Sequence, residues 1–260
     1  MICLGLISGM LCAGTLRAET FYKTGFEASN EGFGNFKEGA VSDQNGWKCS
    51  GKIATGIFRS GSQSLTPGPG TGVYGATSLM IFQPPINTDT IWVDVWLNPA
   101  GIEKLGAWLW LQGTPANTSA DSLVLSTYLA FWQDHITAHS YNYEQATRTS
   151  VDIPASLETG GWRRITIAFH GKRHTYDLYV DAKLLKSDIG FFGNKEFGYA
   201  ENLSVVRLGG GSSKESLAYY DDLYIGDSPP SFPPTAEPLM PEQCSAPTVW
   251  IRQGARPGPS

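Results

Sequence analysis

From Thr20 to Gly226 the chain is a succession of short β-branched and aromatic runs, alternating with period two and parted by clusters of Gly, Asn, Asp and Pro. No stretch sustains a helical period, so the pattern predicts an all-β protein. Nine runs read as strands: 77–83, 90–97, 106–112, 122–132, 135–143, 162–170, 174–181, 203–208 and 217–225. That many strands in one domain curl or split as an open sheet, which predicts a two-sheet antiparallel sandwich. The runs 162–170 and 174–181 are joined by Gly171-Lys172-Arg173, a hairpin-length turn with a Gly for the awkward dihedral. Composition agrees: 30 Gly and 16 Pro among 260 residues supply many turns, and 41% hydrophobic residues are enough for a packed core.

The ends differ from the middle. Residues 2–16 are uncharged and largely apolar, and Leu16-Arg17-Ala18 supplies a small-residue cleavage site, so 1–18 reads as a signal peptide and the protein as secreted. Fifteen residues fall short of the roughly 20 that a spanning helix needs, which argues against membrane insertion. The expected domain runs over 20–228, and 229–260, with nine prolines from Pro229 to Pro259, reads as an extended tail or linker. Cleavage would leave Cys49 and Cys244, either disulfide-linked in an oxidising compartment or unpaired. With 19 basic against 24 acidic residues there is no basic footprint for nucleic acid.

Four segments carry a resemblance. FEASNEGFGNF at 26–36, GWKCSGKIATGIFRSGSQSL at 46–65, WRRITIAFHGKRHTYDLYVD at 162–181 and LAYYDDLYIG at 217–226 resemble, in that order, the concanavalin A-like or laminin G-like jelly rolls of exported bacterial proteins. The resemblance covers about 200 residues and implies a jelly-roll sandwich, with a first strand bearing Phe26-Glu27 beside a last strand bearing Asp221-Asp222. Ala182 stands where the family usually has Gly. The fold hosts binders, glycosidases and lyases alike, so it does not fix an activity. The resemblance also implies a structural Ca²⁺ where the chain ends meet, with Glu27 and Asp222 as ligands, since hard oxygens suit that ion.

Two strands are apolar on both faces. In 91–97 the alternation sets Ile91, Val93, Val95 and Leu97 against Trp92, Asp94 and Trp96; in 107–112 it sets Ala107, Leu109 and Leu111 against Trp108, Trp110 and Gln112. One face belongs to the inter-sheet core. The other is either an aromatic platform or a second core beneath loops such as 113–121 or 145–160. A platform with Asp94 and Gln112 as hydrogen-bonding groups suits glycan, because pyranose C–H faces pack on indoles. His139 and Tyr141 on the strand 135–143 extend such a concave face.

Enzyme signatures are scarce. The Glu-x-Asp-x-x-Glu of the family's glucanases is absent, and alginate-lyase patterns survive only as echoes in Gln133-Asp134-His135 and Tyr141-x-Tyr143. His135 and His139 on a strand lie about 13 Å apart, too far to share a metal. Gly46 to Lys52 mimics a phosphate loop but lacks the hydroxyl residue and the helix. The leading expectation is therefore an exported, non-catalytic, lectin-like module that binds polysaccharide. The alternatives are a polysaccharide lyase or glycoside hydrolase on the same fold, using His135 or His139 with Tyr141 or Tyr143, and a surface adhesion domain without a glycan ligand.

Overall fold

The computed structural model describes residues 18–28, 35–68, 77–100, 106–115, 122–142, 147–157, 161–193, 198–211 and 217–231. The expectations for the signal peptide, the proline-rich tail, Tyr143 and a Cys49–Cys244 pair lie outside them.

Among the described residues, sixteen strands, numbered in chain order, form two antiparallel sheets. The nine-stranded sheet runs β14 (Lys183–Gly190), β13 (Thr175–Val180), β12 (Arg163–His170), β7 (Ile91–Ala100), β16 (Leu217–Gly226), β5 (Ser64–Thr66), β4 (Lys52–Ala54) and β2 (Gly39–Ala40), with β1 (Thr20–Thr24) also on β16. The seven-stranded sheet runs β11 (Thr147–Pro154), β10 (His135–Asn142), β9 (Val124–Phe131), β8 (Ala107–Gly113), β15 (Leu203–Gly210), β6 (Thr77–Ile86) and β3 (Trp47–Cys49). The sandwich expected from the alternation is the architecture adopted, and β1 pairs with β16 as the family layout implies. Phe26 and Glu27, however, follow the first strand instead of lying on it.

The alternation inside each strand decides what is buried. Ile91, Val93, Val95 and Leu97 of β7 and Ala107, Leu109 and Leu111 of β8 point into one shared core with Ile165, Ile167, Leu208 and Ile225. Yet β7 and β8, consecutive in sequence, belong to different sheets. Their remaining faces therefore look out on opposite sides of the sandwich, and the single platform expected across them is not formed. The segment 147–154, expected within a covering loop, is the edge strand β11.

Polar groups stitch the core together. Tyr220 on β16 is fully buried, and its hydroxyl reaches across the interior to the carbonyls of Trp108 and Gly209, each 2.8 Å away. Tyr176 on β13 is equally buried, but its hydroxyl has no partner among the described residues. At the turn after β12, the left-handed residue is His174, at φ 54°, not Gly171. Gly171 is required for a different reason: a Cβ there would lie 1.9 Å from the Glu201 carbonyl oxygen. Between β13 and β14, Asp181 and Ala182 both have positive φ, 51° and 66°, so the missing family glycine leaves an alanine in a left-handed turn.

These observations set two stability expectations. Tyr220→Phe removes a buried hydrogen bond and lowers stability by about 1–2 kcal/mol, whereas Tyr176→Phe removes an unmatched hydroxyl and leaves stability unchanged or higher. Ala182→Gly relieves the turn and raises stability by about 0.5–1 kcal/mol. Urea unfolding of the three variants, followed by fluorescence, checks both.

Candidate functional site

On the outer face of the nine-stranded sheet, Trp92, Asp94 and Trp96 are neighbours on β7, as parity requires, but they are committed to structure. Asp94 is 3% exposed and accepts from Arg164 Nε at 3.0 Å and Nη2 at 2.9 Å, with the Thr166 hydroxyl also donating to it. All three side chains come from adjacent positions on β7 and β12. The Arg59 guanidinium lies 3.9 Å from the Trp96 ring centre, and Trp92 leans on Tyr179 at 5.9 Å. Asp94 is thus the anchor of a buried ion pair and has no oxygen to offer a sugar.

The outer face of the seven-stranded sheet is different. Register aligns His139 of β10, Tyr128 of β9, Trp110 of β8 and Arg207 of β15 in one row across four strands. The rings touch in sequence: Tyr128 to His139 at 4.3 Å, Trp110 to Tyr128 at 5.4 Å, and Arg207 over Trp110 at 5.3 Å. Trp108, two residues along β8, stacks obliquely on Tyr128 at 5.1 Å. Beyond β14 the chain crosses to this sheet, where the Phe192 and Gly193 amides donate to the carbonyls of Ser126 and Leu125. That crossing sets the Phe192 ring 5.7 Å from Tyr128 and under Arg148 of β11 at 5.3 Å.

The result is a groove of about 390 Å³ lined by Thr77, Trp110, Leu125, Tyr128, Arg148, Phe192 and Arg207. Trp108 and Trp110, at 5% and 8% exposure, form its packed floor, while Tyr128, His139, Tyr141 and Phe192 are half-buried and keep accessible surface. Burial holds the His139 imidazole below its ordinary pKa; the nearby Asp152 opposes this and Arg148 reinforces it. Gln112, opposite Leu125, has a buried amide oxygen without a hydrogen-bond partner among the described residues.

Of the residues singled out in the sequence, Trp108, Trp110, Gln112, His139 and Tyr141 come together here, and Trp92, Asp94 and Trp96 do not. Tyr128, Arg148, Phe192 and Arg207 were missed. Parity within β9 marks Tyr128 as sharing a face with Ala130, but only cross-strand register sets it beside the indoles.

Glu27 and Asp222 meet the same loop, 57–63, from two sides. Glu27 accepts from the Ser62 amide and hydroxyl at 2.9 and 2.8 Å and from the Gln63 amide at 3.1 Å. Asp222 accepts from the Ser60 hydroxyl at 2.8 Å and pairs with Arg59 at 3.3 Å. These carboxylates face N–H and O–H donors and a guanidinium, a set that does not fit the oxygen cage of Ca²⁺. No group of three or more His, Cys, Asp or Glu residues is arranged for a metal among the described residues. Asp221 is fully buried and takes the amides of Arg59, Ser60 and Asp222. Burial, reinforced by the charge of Asp222, pushes its carboxyl up to about 8. The bulge between Asp221 and Tyr224 lies where β16 passes from β5 to β1.

No protein-family model matches the chain, and no curated protein matches it. Among solved structures, it is similar to an endo-β-1,4-glucuronan lyase from the fungus Trichoderma reesei, at 11% identity and a TM-score of 0.50, over 81% of this chain and 96% of that one. It is also similar to a carbohydrate esterase of the Shiga toxin-encoding bacteriophage phi24B, at 10% identity and a TM-score of 0.53, over 81% and 99%. At these identities the likeness is one of fold.

The acidic loop generates a pH expectation. A carboxyl raised from 3.8 in the unfolded chain to about 8 in the folded one makes the native state the greater proton binder between those values. The contribution of Asp221 to stability is therefore fullest below about pH 4 and declines as pH rises toward 8. Asp221→Asn lowers overall stability but flattens that decline, as urea midpoints from pH 4 to 9 would show. EDTA leaves the melting temperature unchanged, while Arg59→Ala lowers it.

Proposed function

We propose that the protein is an exported, non-catalytic carbohydrate-binding sandwich that receives glycan on the outer face of its seven-stranded sheet. The observation that carries this reading is the contiguity of Trp110, Tyr128 and Phe192 around one groove, in which Trp110 is buried floor and the Tyr128 and Phe192 rings are half-buried. Sugar C–H faces pack on such rings, and a groove with a few polar groups at its margin is the usual form of a small-ligand site. Thr77, Arg148 and Arg207 supply that margin. The opposite sheet is a poor candidate, because its Asp94 is consumed by Arg164 and its Trp96 is covered by Arg59.

One observation favours a second reading, a lyase on the same face: His139, held toward its neutral form by burial, lies against Tyr128 and on the strand that bears Tyr141. A neutral imidazole beside phenols is a competent general base. The two readings part on product formation.

Affinity electrophoresis through gels carrying a panel of polysaccharides tests the proposal. Retardation by at least one polymer is expected. Loss of one stacking ring is worth about 0.5–1.5 kcal/mol, so Tyr128→Ala or Phe192→Ala should weaken retention about 3- to 10-fold without unfolding, and Trp92→Ala on the other sheet should leave it intact. Equal loss in Trp92→Ala, or retention by no polymer, contradicts the proposed face. Accumulation of unsaturated ends, read as ultraviolet absorbance, would transfer the assignment to the lyase.

A further inference from the structure

We infer that the glycan taken by this groove is acidic, a polymer of hexuronate whose carboxylates are met by Arg148 and Arg207. The inference rests on the reading of the groove as a glycan site and deepens it. The protein carries a net charge of −5, so its overall field repels a polyanion. The groove departs from that average: two of the residues lining it are arginines, and none of the described residues lining it is acidic.

The two cations are built into the aromatic wall. Arg207 lies over Trp110 and Arg148 over Phe192, each at 5.3 Å from the ring centre. A guanidinium that stacks uses its faces, and the N–H fork in its plane is the shape that a carboxylate matches in a bidentate pair. The same ring thus serves a sugar face and orients the cation that would read its carboxylate.

Spacing argues for a polymer over a single acid. Arg207 is on β15 and Arg148 on β11, and β8, β9 and β10 lie between them, so their backbones are about 19 Å apart at the usual strand spacing. The rings of Trp110, Tyr128 and Phe192 stand in series between the two guanidinium groups. A chain lying across the strands passes Arg207, Trp110, Tyr128 and Phe192 before reaching Arg148, and needs an anionic group on more than one sugar.

Among the described residues, the acids nearest this face are engaged elsewhere. Asp152 of β11 accepts the Thr137 hydroxyl and lies 3.8 Å from His135, about 13 Å along the strand from Arg148. Asp134 is paired with His135. His139, held toward neutrality, adds no acid to the groove.

The test is affinity electrophoresis and titration calorimetry of the whole protein with alginate, polygalacturonate, carboxyl-reduced alginate, dextran and dextran sulfate. At least one uronate polymer should bind, its affinity falling steeply with added salt, and carboxyl reduction of alginate should weaken binding at least tenfold. Arg148→Gln and Arg207→Gln should each lower uronate affinity about tenfold, the magnitude of one charge-assisted hydrogen bond. Arg148 is exposed, so its replacement leaves the core untouched and keeps the test valid if the half-buried Arg207 proves necessary for folding. Equal binding of reduced and native alginate, or of dextran, overturns the acidic assignment and leaves the glycan reading standing. Dextran sulfate held as tightly as uronate, with the same arginine dependence, overturns the carboxylate assignment. Binding of none of these or any other polysaccharide overturns both readings.

Discussion

The interior between the two sheets is filled from both sides by aliphatic residues. Val93, Val95 and Leu97 from one sheet and Leu109, Leu111 and Leu208 from the other leave no room there for the indoles that alternate with them. An antiparallel strand that is apolar on both faces must then turn one face to the outside, where it finds another cover or stays open. Because the chain steps from one sheet to the other between β7 and β8, the two excess faces are on opposite sides of the molecule.

The two outer faces resolve that excess in different ways. On the nine-stranded sheet the answer is electrostatic: Arg164 and Asp94 form a nearly inaccessible pair and Arg59 caps Trp96 while tying down Asp222. A buried pair of this kind holds register firmly because removing either partner strands a charge. On the seven-stranded sheet the answer is aromatic. Trp108 and Trp110 are covered by Tyr128 and its neighbours, a smaller satellite of the core, and the outermost rings remain accessible. The nine-stranded face is held by ion pairs beside half-buried indoles, the seven-stranded face carries the aromatic groove, and the functional reading follows from that difference.

Much of this was legible in the chain. Nine strands announced themselves through alternation, and parity separated the core residues from the tryptophans in both β7 and β8. The short strands β2, β3 and β4, two or three residues each, show no period because a period needs more residues than they have. TRTSVDIP of β11 is exposed at nearly every position, so no burial pattern marks it as a strand. Sheet membership was the decisive gap. Nothing local says that residues 91–97 and 107–112 pair with different partners, and Arg207, Tyr128 and Arg148 become neighbours only through registers spanning five strands. The acids Glu27 and Asp222 were read as sharing a metal, whereas each finds its partners in a loop from elsewhere in the chain.

The central claim is that ligand meets the seven-stranded sheet and leaves the nine-stranded sheet alone. Titrating ¹⁵N-labelled protein with oligosaccharides and following the tryptophan indole resonances reads both faces in one experiment. The account expects the Trp108 and Trp110 signals to move in a saturable way while those of Trp92 and Trp96 stay in place. Saturable movement of Trp92 and Trp96 with Trp108 and Trp110 unmoved would contradict it.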